Sequence, residues 1–339
     1  MRKQITLCVF LSCIALMALF QTFAGAGEGG WLAPHRSLAS GEGEALLYVP
    51  LAMHESGMTI PTRTPTPEPT GPAPAEAVLV GAGDIARCDD TNDEATADLL
   101  DDIAGIVFTT GDNAYSDGSP EEYADCYDPS WGRHKARTRP SAGNHDYRTE
   151  DAAGYFDYFG DAAGAPGEGY YSYDLDSWHI VVLNSNCLDI DGCEAGSPQE
   201  QWLRDDLAAN ETLCTAAYFH HPLFSSGVHG SDDDVADLWK TLYEFGADVV
   251  LNGHEHNYER FAPQDPDGNA DPEAGIRQFI VGTGGTKLRD VNEPIENSEV
   301  LENETHGVLK LTLHATGYDW EFVPIAGATF SDVGSDACH

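Results

Sequence analysis

The sequence predicts an α/β domain over residues 75–339 in which parallel and antiparallel strands are mixed. Two patterns carry this expectation: short apolar runs of strand length alternate with amphipathic stretches of helical length, and two apolar runs near the end flank a tight turn. The runs at Ala75–Ala82 and Gly105–Thr110 read as buried strands, and between them Asn92–Ile103 has a helical period with Ala95, Leu99 and Leu100 on one face. Further strands are expected at Trp178–Asn184, Leu213–Phe219, Ala247–Asn252 and Arg277–Val281. Ser197-Pro198-Gln199-Glu200 is a start signal for a helix over 198–209, and Ser231-Asp232-Asp233-Asp234 for one over 232–245. His306–His314 and Tyr318–Val323 read as a closing hairpin around Thr316-Gly317.

Ahead of this domain the chain has a different character. Met1–Lys3 is basic, Ile5–Phe20 is largely apolar, and Ala24-Gly25-Ala26 has the small-residue spacing of a cleavage site, so residues 1–26 are expected to be an export signal peptide. Residues 27–74 form a low-complexity Pro/Thr/Gly-rich segment and linker, ending in the run Pro61-Thr62-Arg63-Thr64-Pro65-Thr66-Pro67-Glu68-Pro69 that continues to Pro74, which favours stiff, extended backbone over a core. No membrane span is expected once the signal is removed. The expected location is secreted or at the cell surface, outside the cytoplasm.

Seventeen Lys and Arg against fifty-seven Asp and Glu give a formal charge of −40. Such a chain repels nucleic acid phosphates, which excludes nucleic acid as the primary partner. It also repels polyanionic substrates unless metal ions bring positive charge to the site. Six cysteines lie beyond the signal, an even number that in an exported chain suggests disulfides with fifteen complete pairings. Cys187 with Cys193 closes a short Asp/Gly-rich loop; Cys88 with Cys126 and Cys214 with Cys338 would complete the set.

Five polar segments carry chemistry, and most of them follow an apolar run: Gly83-Asp84-Ile85-Ala86, Gly111-Asp112-Asn113-Ala114-Tyr115, Gly143-Asn144-His145-Asp146, Phe219-His220-His221-Pro222 and Gly253-His254-Glu255-His256-Asn257-Tyr258-Glu259-Arg260. In α/β sheets ligands bind at the carboxyl ends of strands, so loops in those places can converge on one crevice. Singly each is weak, since a Gly-Asp after a strand is more often a turn. Together they supply oxygen and nitrogen donors for two ions: Asp84, Asp112, Tyr115, Asn144, His220, His254 and His256.

The order GD, GDxxY, GNHD, HxP, GHxHxYER resembles the calcineurin-like metallophosphoesterase superfamily, and within it the purple acid phosphatases, over about residues 78–339. The resemblance implies a four-layer αββα sandwich with two mixed β-sheets packed face to face. It implies a first metal held by Asp84, Tyr115 and His256, a second held by Asn144, His220 and His254, and Asp112 shared by both. Where most of the superfamily has a histidine in the first segment, this chain has Ala86, and Tyr115 stands in the slot whose phenolate compensates in purple acid phosphatases. A phenolate suits Fe(III), so iron is expected at the first site and Fe(II), Zn(II) or Mn(II) at the second.

The implied activity is hydrolysis of small phosphorylated substrates by a hydroxide that the two metals activate, most simply as an acid phosphomonoesterase. An exported phosphodiesterase or nucleotidase shares the metal core, and a non-catalytic binding module would share the fold. By the resemblance His145 faces substrate, to stabilise the transition state or protonate the leaving alkoxide, and His229 is a second substrate-facing histidine. Asp146 is expected to fix the tautomer of the His145 ring. His221 is expected to orient its loop, and Arg260 either to bind phosphate or to form an ion pair. Residues 116–137, 185–196 and 262–275 are the expected substrate loops.

Overall fold

The computed structural model describes residues 76–339; the expected signal peptide and linker, 1–74, lie outside the described residues. The strands are β1 (Ala77–Ala82), β2 (Ile106–Thr110), β3 (Thr138–Ser141), β4 (Tyr171–Leu175), β5 (Trp178–Val182), β6 (Cys214–Tyr218), β7 (Val249–Asn252), β8 (Tyr258–Phe261), β9 (Arg277–Val281), β10 (Ser298–Glu302), β11 (Gly307–His314), β12 (Gly317–Pro324) and β13 (Val333–Ala337). The α-helices are α1 (Asn92–Asp102), α2 (Pro120–Glu122), α3 (Ala153–Phe159), α4 (Pro198–Ala209) and α5 (Ala236–Glu244). One six-stranded sheet runs β13-β12-β11-β1-β2-β3 and one seven-stranded sheet runs β10-β8-β9-β7-β6-β5-β4. Both are mixed. β1, β2 and β3 are mutually parallel while β11 pairs β1 antiparallel, and β5, β6, β7 and β9 are parallel while β4 and β8 are antiparallel additions.

The parallel strands read as continuous apolar runs because both of their faces are covered. Ile180, Val182, Ala216, Tyr218, Val249 and Leu251 join Leu79, Phe108, Leu309 and Phe322 in a core between the sheets. Phe108 against Tyr218, Trp178 against Tyr318 and Tyr258 against Phe322 cross that interface with ring centroids 5.7, 5.7 and 4.7 Å apart. Their sequence neighbours Val181, Ala217, Phe219 and Val250 point the other way, onto Leu203 and Leu207 of α4 and Leu238, Trp239 and Leu242 of α5. Helix α1 packs on β11 of the first sheet, so helices lie outside both sheets.

The expected elements recur within a few residues of their positions, with local differences. In α1 the buried face is Asp93, Thr96, Ala97 and Leu100, whereas Ala95 and Leu99 are only partly covered; the Thr96 hydroxyl donates to the backbone. The second helix is delayed: Asp233–Val235 form a 3-10 turn before α5 starts at Ala236. Strands β3, β4, β8, β10 and β13 carry too much polar or proline character to be read as apolar runs. The disulfides are Cys88–Cys126, Cys187–Cys193 and Cys214–Cys338, with Cα–Cα distances of 4.9, 5.2 and 5.4 Å.

At the edge of the second sheet His179 lies between Asp174, 3.0 Å from Nδ1, and Asp206, 2.8 Å from Nε2. Burial alone would depress its pKa, but the two carboxylates more than offset this and raise it above the ordinary histidine value. A raised folded-state pKa stabilises the fold fully below about pH 6.5 and loses that contribution as pH climbs through the folded value. His179→Gln is therefore expected to cost about 1 kcal/mol at pH 5 and little above about pH 8, measured by urea unfolding at both pH values.

Candidate metal centre

The loops that follow β1, β2, β3, β6 and β7 carry Asp84, Asp112, Asn144, His220 and His254 in turn, so all five leave the carboxyl ends of parallel strands. Close approach of these loops requires glycine. A Cβ on Gly143 would sit 2.2 Å from both the amide nitrogen and Oδ1 of Asp112, and one on Gly111, at φ +87°, would sit 2.7 Å from Nδ1 of His220. Asp84, Asp112 and His254 themselves have φ of 58°, 52° and 69°, a left-handed backbone that non-glycine residues adopt at a cost. Three of the seven non-glycine residues with positive φ among the described residues are thus donors, each held there by its surroundings.

The seven donor residues form two groups joined by one carboxylate. In the first, the Tyr115 hydroxyl lies 2.7 Å from Asp84 Oδ1, 2.8 Å from Asp112 Oδ2 and 3.3 Å from His256 Nε2. In the second, Asn144 Oδ1 lies 3.0 Å from both His220 Nε2 and His254 Nδ1, which are 3.2 Å apart. Asp112 Oδ1 is 3.5 Å from His220 Nε2, so the two oxygens of Asp112 face different groups.

Ring orientations show what this constellation suits. His220 Nδ1 meets the Thr110 carbonyl and His256 Nδ1 the Lys287 carbonyl, each at 2.8 Å, so those nitrogens carry the protons and both Nε2 lone pairs point inward. In the first group the single phenolic proton then faces two carboxylate oxygens and a ring lone pair. In the second, the Asn144 amide oxygen faces the His220 lone pair, with His254 Nδ1 beside both. Burial pushes the Asp112 carboxyl well above its usual range, with Asp84 adding to the shift, and burial with both carboxylates pushes the Tyr115 phenol up likewise. Burial holds His220 neutral. Converging lone pairs without enough protons are costly unless a cation sits among them, and oxygen with imidazole is a donor set for divalent or trivalent transition metals. The residues therefore fit two ions, one among Asp84, Tyr115 and His256, the other among Asn144, His220 and His254.

Surrounding groups hold the donors in place. Asp84 Oδ2 accepts from the His254 backbone N–H at 2.9 Å, and Asp112 Oδ1 from the His145 N–H at 2.7 Å. His221, whose Nδ1 meets Ser185 Oγ at 2.8 Å, packs its ring 4.6 Å from that of His254 and lies close enough to His220 and His254 to share a metal ion with them. Asp146 departs from its expected role. Its fully buried carboxylate accepts from the Tyr123 hydroxyl at 2.6 Å, the Gly143 N–H at 2.9 Å and Asn113 Nδ2 at 3.1 Å, while the His145 Nδ1 goes to the Ser116 carbonyl at 2.6 Å. Asp146 therefore ties the Asp112 loop to the Asn144 loop and leaves the His145 ring alone, because the Ser116 carbonyl already occupies that nitrogen.

His145 Nε2 is left facing the crevice, 3.8 Å from Asp112 Oδ2. A cavity of about 120 Å³ opens over the donors, lined by Asp112, Asn144, His145, Arg148, His229, His254, His256 and Arg289. His229 is in this wall, its ring 4.6 Å from that of His254, and the Arg289 guanidinium lies 2.7 Å from its Nε2. Arg260 is not in this wall: it bonds Asp332 at 2.7 Å, pairs with Glu299, and lies over the Trp320 ring. Nor do the three expected substrate loops line the cavity. Arg148, Arg289 and buried Glu255, which accepts from the His229 and Gly230 N–H groups at 2.6 and 2.8 Å, are the residues that motif reading missed. The available signal for Glu255 was a carboxylate between two donor histidines; the arginines sit in segments with no motif.

The calcineurin-like phosphoesterase family matches residues 78–258, so the chain belongs to that family. Its relatives include purple acid phosphatases. Purple acid phosphatase 18 of Arabidopsis thaliana is 30% identical over 153 residues, 42% of this chain and 34% of that protein. Purple acid phosphatase 1 of Ipomoea batatas is 27% identical over 270 residues, 70% of this chain and 54% of that protein. A purple acid phosphatase isolated from yellow lupin (Lupinus luteus) seeds shares the fold at a TM-score of 0.63 and 18% identity, covering 77% of this chain and 53% of that one. The chain thus spans between about a third and about half of the length of these relatives.

Proposed function

We propose that this protein is an acid phosphomonoesterase that uses two metal ions, Fe(III) among Asp84, Tyr115 and His256, and Fe(II), Zn(II) or Mn(II) among Asn144, His220 and His254. The observation that carries this reading is Asp112, whose two oxygens each face one group of donors, 2.8 Å from Tyr115 and 3.5 Å from His220. When bound, such a pair of cations supplies Lewis acidity and activates a water molecule as nucleophile. Arg148 and His229, in the wall of the cavity, would gather the phosphoryl oxygens and orient the ester. His145, its Nδ1–H held by the Ser116 carbonyl, has Nε2 toward the crevice, where as the imidazolium present in acid it would hand a proton to the leaving alkoxide. Gly-rich loops and the sheet ends enclose the donors, so these charges act where little water screens them. Three disulfides support a location outside the cytoplasm.

The test is metal analysis, a visible spectrum, and assays of p-nitrophenyl phosphate against bis(p-nitrophenyl) phosphate across the acidic range. A tyrosinate-to-iron band that vanishes in Tyr115→Phe, with the monoester preferred, is the expected result. Zinc alone with no band overturns the iron assignment; preference for the diester overturns the substrate class; inertness toward both overturns catalysis.

A further inference from the structure

The cavity over the donors, where the reacting phosphoryl group would sit, is the smaller of two adjoining spaces, about 120 Å³ against about 530 Å³. One neighbouring space adjoins it through shared walls. A hollow of about 530 Å³ is lined by His256 and Arg289, which also border the donor cavity, and by Arg87, Lys287, Leu288 and Asp290 among others.

Its charge is unusual for this chain. Of the seventeen Lys and Arg in the whole sequence, three line this one hollow, against a single carboxylate, Asp290. Among the described residues neither Lys287 nor Arg289 has a carboxylate within ion-pair distance, although acidic residues outnumber basic ones more than threefold. Arg87 holds the exposed Asp89 through Nε and Nη2, at 2.8 and 3.2 Å, which leaves Nη1 uncommitted. The Arg87 guanidinium lies 5.9 Å from the centroid of the Tyr115 ring. The segment carrying Lys287 and Arg289 is tied to a donor residue at both positions: the Lys287 carbonyl meets His256 Nδ1 at 2.8 Å, and the Arg289 N–H donates to the His256 carbonyl at 3.1 Å. These cations are therefore held in a set relation to the reacting end of the substrate.

We propose that this hollow is a subsite for a second phosphoryl group carried on the leaving portion of the substrate, so that the protein prefers small esters bearing two phosphoryl groups. The inference deepens the phosphomonoesterase reading and rests on it. Two guanidiniums and an ammonium offer forked and point donors to a group with up to two negative charges and three acceptor oxygens; a carboxylate would use fewer of them. The chemistry is unchanged. Water oxygen bonds to phosphorus, the P–O bond to the leaving group breaks, the released alkoxide takes a proton, and the second phosphoryl group stays on the product.

The experiment pairs fructose 1,6-bisphosphate with fructose 6-phosphate as substrates, and methylenediphosphonate with methylphosphonate as ligands that are not hydrolysed, the latter pair by calorimetry. Each pair is measured on the full-length metal-loaded protein and on the Arg87→Gln/Lys287→Gln double variant. Expected are kcat/KM and affinity ratios of about tenfold or more in favour of the doubly charged member, falling below about threefold in the variant. Ratios near one in the parent protein, or ratios that persist in the variant, overturn the subsite. If neither sugar ester nor p-nitrophenyl phosphate is hydrolysed, the phosphomonoesterase reading fails, and calorimetry alone decides the subsite.

Discussion

Asp112→Asn is expected to remove bound metal and to lower kcat/KM for a phosphomonoester by at least about a thousandfold, on the order of 4 kcal/mol of transition-state stabilisation. The reason is geometric. Asp112 is the one residue with an oxygen toward each group of donors, and the amide that replaces it must turn an N–H₂ toward either Tyr115 or His220. One group would then lose an anionic donor and gain a misplaced proton. Metal content by mass spectrometry should fall below the parent's, and it should not be restored by excess metal at neutral pH. Full metal content with unchanged turnover would remove Asp112 from the centre altogether.

His145→Ala is expected to behave differently: metal retained, kcat lowered on the order of a hundred- to a thousandfold, with KM changed little. Asp112 takes a hydrogen bond from the backbone N–H of residue 145, and alanine keeps that N–H, so the donor cluster should survive. What is lost is Nε2, the atom free to protonate the leaving group. A leaving group that needs no proton, such as p-nitrophenolate, should therefore suffer less than an alkyl alkoxide. Equal losses on both would assign His145 to binding rather than proton transfer.

Much of this molecule is legible in its sequence because the relevant signals are local. A strand covered on both faces must be apolar throughout, so β1, β2, β5, β6, β7 and β9 stand out, and a donor that follows such a strand needs glycine beside it, as Gly111 and Gly253 show by the contacts a Cβ would make. Strands such as β3 (TRPS) and β13 (VGSDA) carry no such signal: they are recruited by pairing with neighbours already in place. The buried face of α1 likewise takes in Asp93 and Thr96 beside Ala97 and Leu100, with the Thr96 hydroxyl among backbone carbonyls, which the apolar period alone does not reveal.

Residue type and spacing by themselves determined the α/β class, the set of donor residues worth considering, and the chemistry such donors serve. These depend on side-chain identity next to a strand end, which is written in consecutive letters. Only the tertiary structure decided that the two oxygens of Asp112 face different donor groups, that Asp146 ties two loops together instead of holding His145, and that Arg87, Arg148, Lys287 and Arg289 line the spaces at the donors. Those outcomes arise from segments far apart in the chain that meet when two sheets pack face to face, and no local period or motif encodes which polar side chains that packing will bring together.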